Sequence, residues 1–258
     1  MGRLMQFSAN LGFLWSDLAL PDAIRAAKAA GFDAVECHWP YEVDPKDVRA
    51  ALTETGLSML GLNTQRGDVG SGENGLSALP NRLEDARAAI DQAINYACAI
   101  DTTSVHVMAG FSDGQSAHNT FVDNLSYACS AAATHGITIL IEPLNMYDAP
   151  GYFLKKTDQA VAIIEKVGAP NLKLMFDCYH VQLMEGDLTH KLKILLDKIG
   201  HIQFAGVPDL GPPDQGEVNY KHVFGVIEGL GYTAPLGAEY KQQGPTNQTL
   251  SWLESLTD

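Results

Sequence analysis

The chain has 258 residues, 46% of them hydrophobic and 19% charged, with a formal net charge of −14. That length suits one large core, and the charge sets nucleic acid and anionic membranes aside as partners, because no Lys/Arg run offsets the repulsion. No segment reaches about 18 uninterrupted apolar residues, and the opening MGRLMQFSAN lacks the apolar stretch of an export signal, so we expect no membrane contact and a cytoplasmic location.

Strand-like and helix-like segments alternate eight times along the sequence. FSANLGFLW (7–15) reads as a strand and 20–31 as a helix closed by Gly31; AVECHW (34–39) precedes a helix over 44–56, with Asp44 as N-cap and Pro45 in its first turn. LSMLGLNT (57–64) runs into the Gly-rich loop RGDVGSGENGLSALP, which has no phosphate-loop pattern and reads as a lid or an interface loop before the helix 82–100. SVHVMAG (104–110) leads to a helix over 118–136, ITILIEPLN (137–145) to one over 156–168, and LKLMFDCYH (172–180) to one over 188–200. HIQFAGV (201–207) is followed by a loop and the helix 220–231, and PLGAEYK (235–241) by the last helix, 246–256.

Most strand runs are continuously apolar, as expected for strands covered on both faces. Eight βα units without a linker predict a single (β/α)₈ TIM barrel over 1–258, with a doubly wound sheet as the lesser alternative. Cys37, Cys98, Cys129 and Cys178 lack metal-binding spacing and are expected as free thiols, Cys178 in the core. Oligomeric state is open, a homo-oligomer included.

Four oxygen-donor side chains end successive predicted strands: Glu142, Asp177, Gln203 and Glu239, separated by 35, 26 and 36 residues. In a barrel the carboxyl ends of neighbouring strands face one mouth. A cluster of buried carboxylates needs a cation or shared protons. The set suits Mg²⁺ or Mn²⁺ as cofactor, and equally suits proton transfer on a small-molecule substrate. His180, His106 and Asn63 stand where they could bind that substrate, and Lys241, two residues past Glu239, could pair with a substrate carboxylate. Trp15, His38 and Trp39 end the first two strands and are candidates for the pocket wall.

The segments LIEPLN, PGYFL, FDCYHVQLMEGDL, KIGHIQFAGVP, GEVNY and GAEYK resemble the hydroxypyruvate isomerase family, one of the xylose isomerase-like barrels beside ketose 3-epimerases and endonuclease IV. FSANLGFLW, AAGFDAVE and NTQRGD extend the resemblance over essentially the whole chain. It implies that Glu142 and Glu239 are the acid/base pair and that Glu142, Asp177, Gln203 and Glu239 surround a divalent metal. The implied reaction interconverts hydroxypyruvate and tartronate semialdehyde, or a related small 2-oxo acid or ketose, through an enediolate. A sugar isomerase or ketose 3-epimerase with the same site is the alternative, although epimerase-like relatives tend to carry histidine at the Gln203 position. A DNA phosphodiesterase would need a His-rich multi-metal site, and a barrel kept only for binding would not need both glutamates. Where relatives carry an acidic residue, an arginine and a glutamate, this chain has Gly206, Leu210 and Pro212, and Met146, Tyr147, His38 and Trp39 also depart from the family pattern. The expected carboxylates are intact while the substrate-binding rim has changed.

Overall fold

The computed structural model describes residues 5–242 and 244–256; residues 1–4, the start of the segment read for an export signal, lie outside them. In chain order the elements are β1 (Phe7–Asn10), α1 (Leu20–Ala29), β2 (Ala34–Glu36), α2 (Pro45–Thr55), β3 (Ser58–Met59), β4 (Gly61–Asn63), α3 (Leu83–Ala99), β5 (Ser104–His106) and α4 (Gly114–Ala133). The second half continues with β6 (Thr138–Ile141), α5 (Thr157–Val167), β7 (Leu172–Asp177), α6 (Cys178–Met184), α7 (Leu188–Leu195), β8 (Ile199–Phe204), α8 (Tyr220–Gly229), β9 (Leu236–Ala238) and α9 (Trp252–Ser255).

All strand pairings are parallel and run in the order β3-β2-β1-β9-β8-β7-β6-β5-β4. β3 and β4 are two halves of one barrel strand, interrupted at Leu60. The first half pairs with β2 and the second with β5. The bonds Leu60 N to Val35 O (2.8 Å), Cys37 N to Gly61 O (3.1 Å) and Asn63 N to His38 O (2.8 Å) carry the ladder across the break and close the (β/α)₈ barrel.

Local chemistry explains most boundaries. Asp44 accepts the Lys46 amide at 2.9 Å and Pro45 sits in the first turn of α2, so the helix starts where its free N–H groups are satisfied. Gly56 and Gly168 take the left-handed conformation that ends α2 and α5. Phe7, Phe204, Phe224 and Trp252 interlock between the strands and the outer helices, with Phe7–Trp252 and Phe204–Phe224 ring centroids 5.1 and 5.0 Å apart. Aromatic pairs of this kind add about 0.5–1.5 kcal/mol each beyond their buried area, which fastens α8 and α9 to β1 and β8.

Some expected boundaries move. The run 172–180 is strand only to Asp177, whose carboxylate accepts the Tyr179 amide at 2.8 Å and caps α6, so residues 178–180 are the first turn of a helix. The first strand stops at Asn10, whose carbonyl accepts the amides of Phe13 and Leu14 in a tight turn. β8 begins at Ile199 rather than 201, and the last segment divides into a 3₁₀ turn (Thr246–Thr249) and α9. No helix among the described residues is long and apolar enough to cross a membrane.

Candidate active site

Parallel β6, β7, β8 and β9 deliver Glu142, Asp177, Gln203 and Glu239 to the same end of the barrel. Glu142 and Asp177 are only 6% and 2% exposed, so neither reaches bulk water. Burial pushes the Glu142 carboxyl well above the ordinary range, and the charges of Glu239, Asp177 and Glu36 push it further. Asp177 is raised by burial and then by Glu239. Three acids repelling one another in a buried mouth mark a place built for a cation or for bound protons.

Glu142, Asp177 and His180 offer ligand atoms within 4.8 Å of one another, a group able to hold a metal ion. The network behind His180 qualifies that assignment. Asn145 Oδ1 accepts the amides of Tyr147 (2.9 Å) and Asp148 (3.0 Å), while its Nδ2 donates to Asp148 Oδ2 (2.7 Å). With the amide so oriented, Nδ2 and the backbone N–H of Asn145 both aim donors at His180 Nδ1, at 2.7 and 3.2 Å. Nδ1 therefore acts as the acceptor and the proton resides on Nε2, an assignment made from the bonding pattern. That N–H lies 3.8 Å from Glu142 Oε1 and 3.7 Å from Asp177 Oδ2. Burial lowers His180 to about 4, so the ring is neutral. It presents a donor to the mouth rather than a lone pair to a metal.

Gln203 is oriented the opposite way, as an oxygen donor. Its Nε2 donates to Glu36 Oε2 at 2.9 Å, leaving Oε1 buried with no hydrogen-bond partner among the described residues. Glu36 also accepts Ser8 Oγ at 3.0 Å and His201 Nε2 at 3.0 Å. Burial alone would raise Glu36, but the His201 charge and these hydrogen bonds hold it below the ordinary value. His201 is lowered by burial but raised above its ordinary value by Glu36. Gly237 makes room for this layer: a Cβ there would collide with Glu36 Oε1 and lie 2.9 Å from His201 Nε2.

Glu239 is held by His38, whose Nε2 is 2.7 Å from Oε1. His106, lowered to about 3 by burial and then by His38 and His180, sets Nδ1 3.7 Å from Glu142 Oε2, and neither ring nitrogen makes a hydrogen bond among the described residues. His106, Asn63, Gln203 and Glu36 line a cavity of ≈ 20 Å³, room for about one water. A wider hollow of ≈ 420 Å³, beside Cys129 and Thr138 at the amino-terminal end of β6, has no charged lining and none of these groups.

Lys241 is exposed, with its backbone N–H on Leu210 O at 2.7 Å. Met146 and Tyr147 stand on the open rim, 56% and 72% exposed. Trp15 packs on Phe32 and so belongs to the core, while His38 joins the site itself. Cys178 is buried, as expected. The carboxyl-terminal part of the Gly-rich loop is fastened to the barrel: Ser77 and Ala78 donate backbone bonds to Met108 and Ala109, and Asn124 Nδ2 donates to Ser77 O, while residues 68–72 are exposed. Leu210 is 8% exposed at φ +53°, and a side chain at Gly206 would meet Pro212 O at 2.5 Å. Leu210 is therefore part of the packed loop, and the position expected for an arginine points into it. Glu36, His201, Asn145 and Asp148 were not anticipated; an acid inside the short apolar strand AVE was the one available signal.

The fold and the mouth define a TIM-barrel protein with buried carboxylates of raised proton affinity gathered at the carboxyl ends of its strands. The xylose isomerase-like TIM barrel family model matches residues 24–256, and the chain belongs to that family. It is 45% identical to the 2-oxo-tetronate isomerase of Cupriavidus necator, over 96% of this chain and 97% of that protein. It is 38% identical to the hydroxypyruvate isomerase of Escherichia coli, over 97% and 99%. A solved structure described as an AP endonuclease, family 2, from Brucella melitensis superposes with TM-score 0.94 at 36% identity, covering 98% of this chain and all of that one.

Proposed function

We propose that this protein is an isomerase of small 2-oxo acids that interconverts hydroxypyruvate and tartronate semialdehyde, or the four-carbon homologue, with Glu142 and Glu239 as the acid/base pair. The names of the relatives from Cupriavidus and Escherichia support the substrate class. The observation that carries the mechanism is the pair itself: a buried Glu142 with raised proton affinity, across the mouth from a Glu239 tied to His38.

In the forward direction one carboxylate removes a proton from C3 of hydroxypyruvate and the electron pair forms the C2–C3 double bond of an enediolate. The other carboxyl delivers a proton to C2, O3 gives up its proton to become the aldehyde, and O2 ends as a hydroxyl. No atom is gained or lost. The Nε2–H of His180 is placed to stabilise negative charge developing on a substrate oxygen. Burial keeps this ring neutral, so it donates without adding a charge.

The donor set fits a hard divalent cation, because Gln203 Oε1 is a buried acceptor without a partner beside mutually repelling carboxylates. Glu142, Asp177, Gln203 and Glu239 would hold Mg²⁺ or Mn²⁺, with His180 outside the set as a donor. Bound there, the cation supplies Lewis-acid polarisation and a template for the two substrate oxygens. Free cysteines fit a reducing, cytoplasmic setting.

A panel of hydroxypyruvate, a four-carbon 2-oxo acid and uncharged ketoses, run with and without Mn²⁺ in D₂O, tests the proposal. Turnover of a 2-oxo acid with solvent deuterium at the accepting carbon is expected, and loss of it in Glu142→Gln and Glu239→Gln. Epimerisation of a ketose without 2-oxo acid turnover would replace this reading by a 3-epimerase.

A further inference from the structure

A 2-oxo acid brings a carboxylate to a mouth already lined with acids, on a protein of net charge −14. Some cation must offset that repulsion, and the arginine expected at position 210 is a buried leucine. Arg66, three residues beyond β4, answers the need.

Its guanidinium lies over the Trp39 ring, 3.9 Å from the centroid. Trp39 is held in place by its indole N–H on Thr64 O at 3.1 Å, and its ring adjoins that of His38 at 4.9 Å. His38 in turn holds Glu239. The stack therefore starts at a catalytic carboxylate and ends at a half-buried cation on the same rim. Stacking occupies only the flat face of a guanidinium and leaves its N–H edge free for a bidentate partner. That edge is free here, since Arg66 makes no side-chain hydrogen bond or ion pair among the described residues. Arg25, Arg49 and Arg82 all bind carboxylates. Arg87, stacked on Tyr127, lies between α3 and α4, on the outer helices.

The backbone around Arg66 is fixed as well. Its carbonyl accepts the Gly75 amide at 2.9 Å, and Thr64 Oγ1 accepts the Met108 amide at 3.1 Å. A cation on a fastened segment binds with little ordering cost. Lys241, by contrast, is exposed on the β9 side of the mouth.

We infer that Arg66, stacked on Trp39, is the carboxylate-binding residue that makes this site select 2-oxo acids over uncharged ketoses. The inference rests on the proposed 2-oxo acid substrate, and two measurements separate the two. In the first, Arg66→Met should raise KM for hydroxypyruvate about 10- to 100-fold, the worth of a charge-assisted hydrogen bond pair, with kcat within about threefold. Arg66→Lys should recover only part of the loss, because it lacks the planar fork. In the second, calorimetry compares glycerate with its uncharged amide. The wild-type protein should prefer glycerate, and Arg66→Met should abolish the preference. If Arg66→Met leaves KM and the glycerate preference unchanged, the inference is overturned while 2-oxo acid turnover stands. If the wild type turns over no 2-oxo acid but its glycerate preference vanishes in the variant, the carboxylate site holds and the proposed reaction falls. Should Arg66→Met fail to fold, as judged by circular dichroism, Arg66→Gln carries the same expectations.

Discussion

Replacing Glu142 by glutamine separates what the buried carboxylates cost the fold from what they do for the reaction. Glu142 and Asp177 place carboxylate oxygens within 4.8 Å of each other. At that distance and an effective dielectric constant of about 20, two ionised groups repel by at least about 3.5 kcal/mol. Burial first, and then the surrounding carboxylates, hold both groups above the ordinary carboxylate range, so the metal-free protein escapes part of this repulsion by binding protons. Raised folded-state values mean that the folded protein binds more protons than the unfolded chain. The associated stability is fully present below the unfolded values, about 4, and is lost as pH rises through the raised ones. Glu142→Gln removes one charge from the group, so it should stabilise the metal-free protein at pH 7 by about 1–3 kcal/mol, or about 3–10 °C in Tm for a chain of this size. It should also flatten the decline of Tm with pH. The same variant should lose turnover by about 10²-fold or more, the scale of general acid–base catalysis. Differential scanning calorimetry from pH 4 to 9 in chelator, beside a steady-state assay, tests both halves. A variant that melts below wild type at pH 7, or one that keeps its activity, would refute the reasoning.

Glu239→Gln should fold normally and also lose about 10²-fold or more in kcat, measured on the same substrate. Mn²⁺ should stabilise the fold logarithmically with its concentration, by about 2.7 kcal/mol at a hundredfold excess over Kd, read as a rise in Tm; Gln203→Leu should weaken that binding at least about tenfold by calorimetry, since it removes the free Oε1 and one of the donors to Glu36. From sequence, Leu210→Arg is expected to restore a substrate cation. The buried position of Leu210 instead predicts a stability loss of about 1–3 kcal/mol in urea titration, with KM for hydroxypyruvate unimproved.

The barrel was legible because its signals are local: apolar strand runs, glycines at helix ends and one acidic or amide residue closing each late strand. Glu142, Asp177, Gln203 and Glu239 could be placed at one mouth from their spacing alone. The partners that set their chemistry could not. His38 reaches Glu239 across 201 residues, and Gln203 reaches Glu36 across 167. No local pattern encodes such contacts. Cys178–His180 read equally well as strand, because only the Asp177 cap turns them into helix. His180 was legible as a donor, but the reason for it, Asn145 fixed by its own turn, emerges only in three dimensions.

Gly237 has a bearing on how such a barrel can change. Ser8, Glu36, His201 and Gln203 come from β1, β2 and β8, and they meet only because β9 contributes no side chain at this height. Any larger residue at 237 displaces the Glu36 carboxylate, and any apolar replacement of Glu36 strands the buried His201 and Gln203 donors. Single steps through this layer are therefore blocked in both directions. Laboratory evolution or chimeras that exchange β8 or β9 between relatives should succeed only when these five positions travel together, so that new specificities arise in the loops while the layer beneath them is inherited as a block.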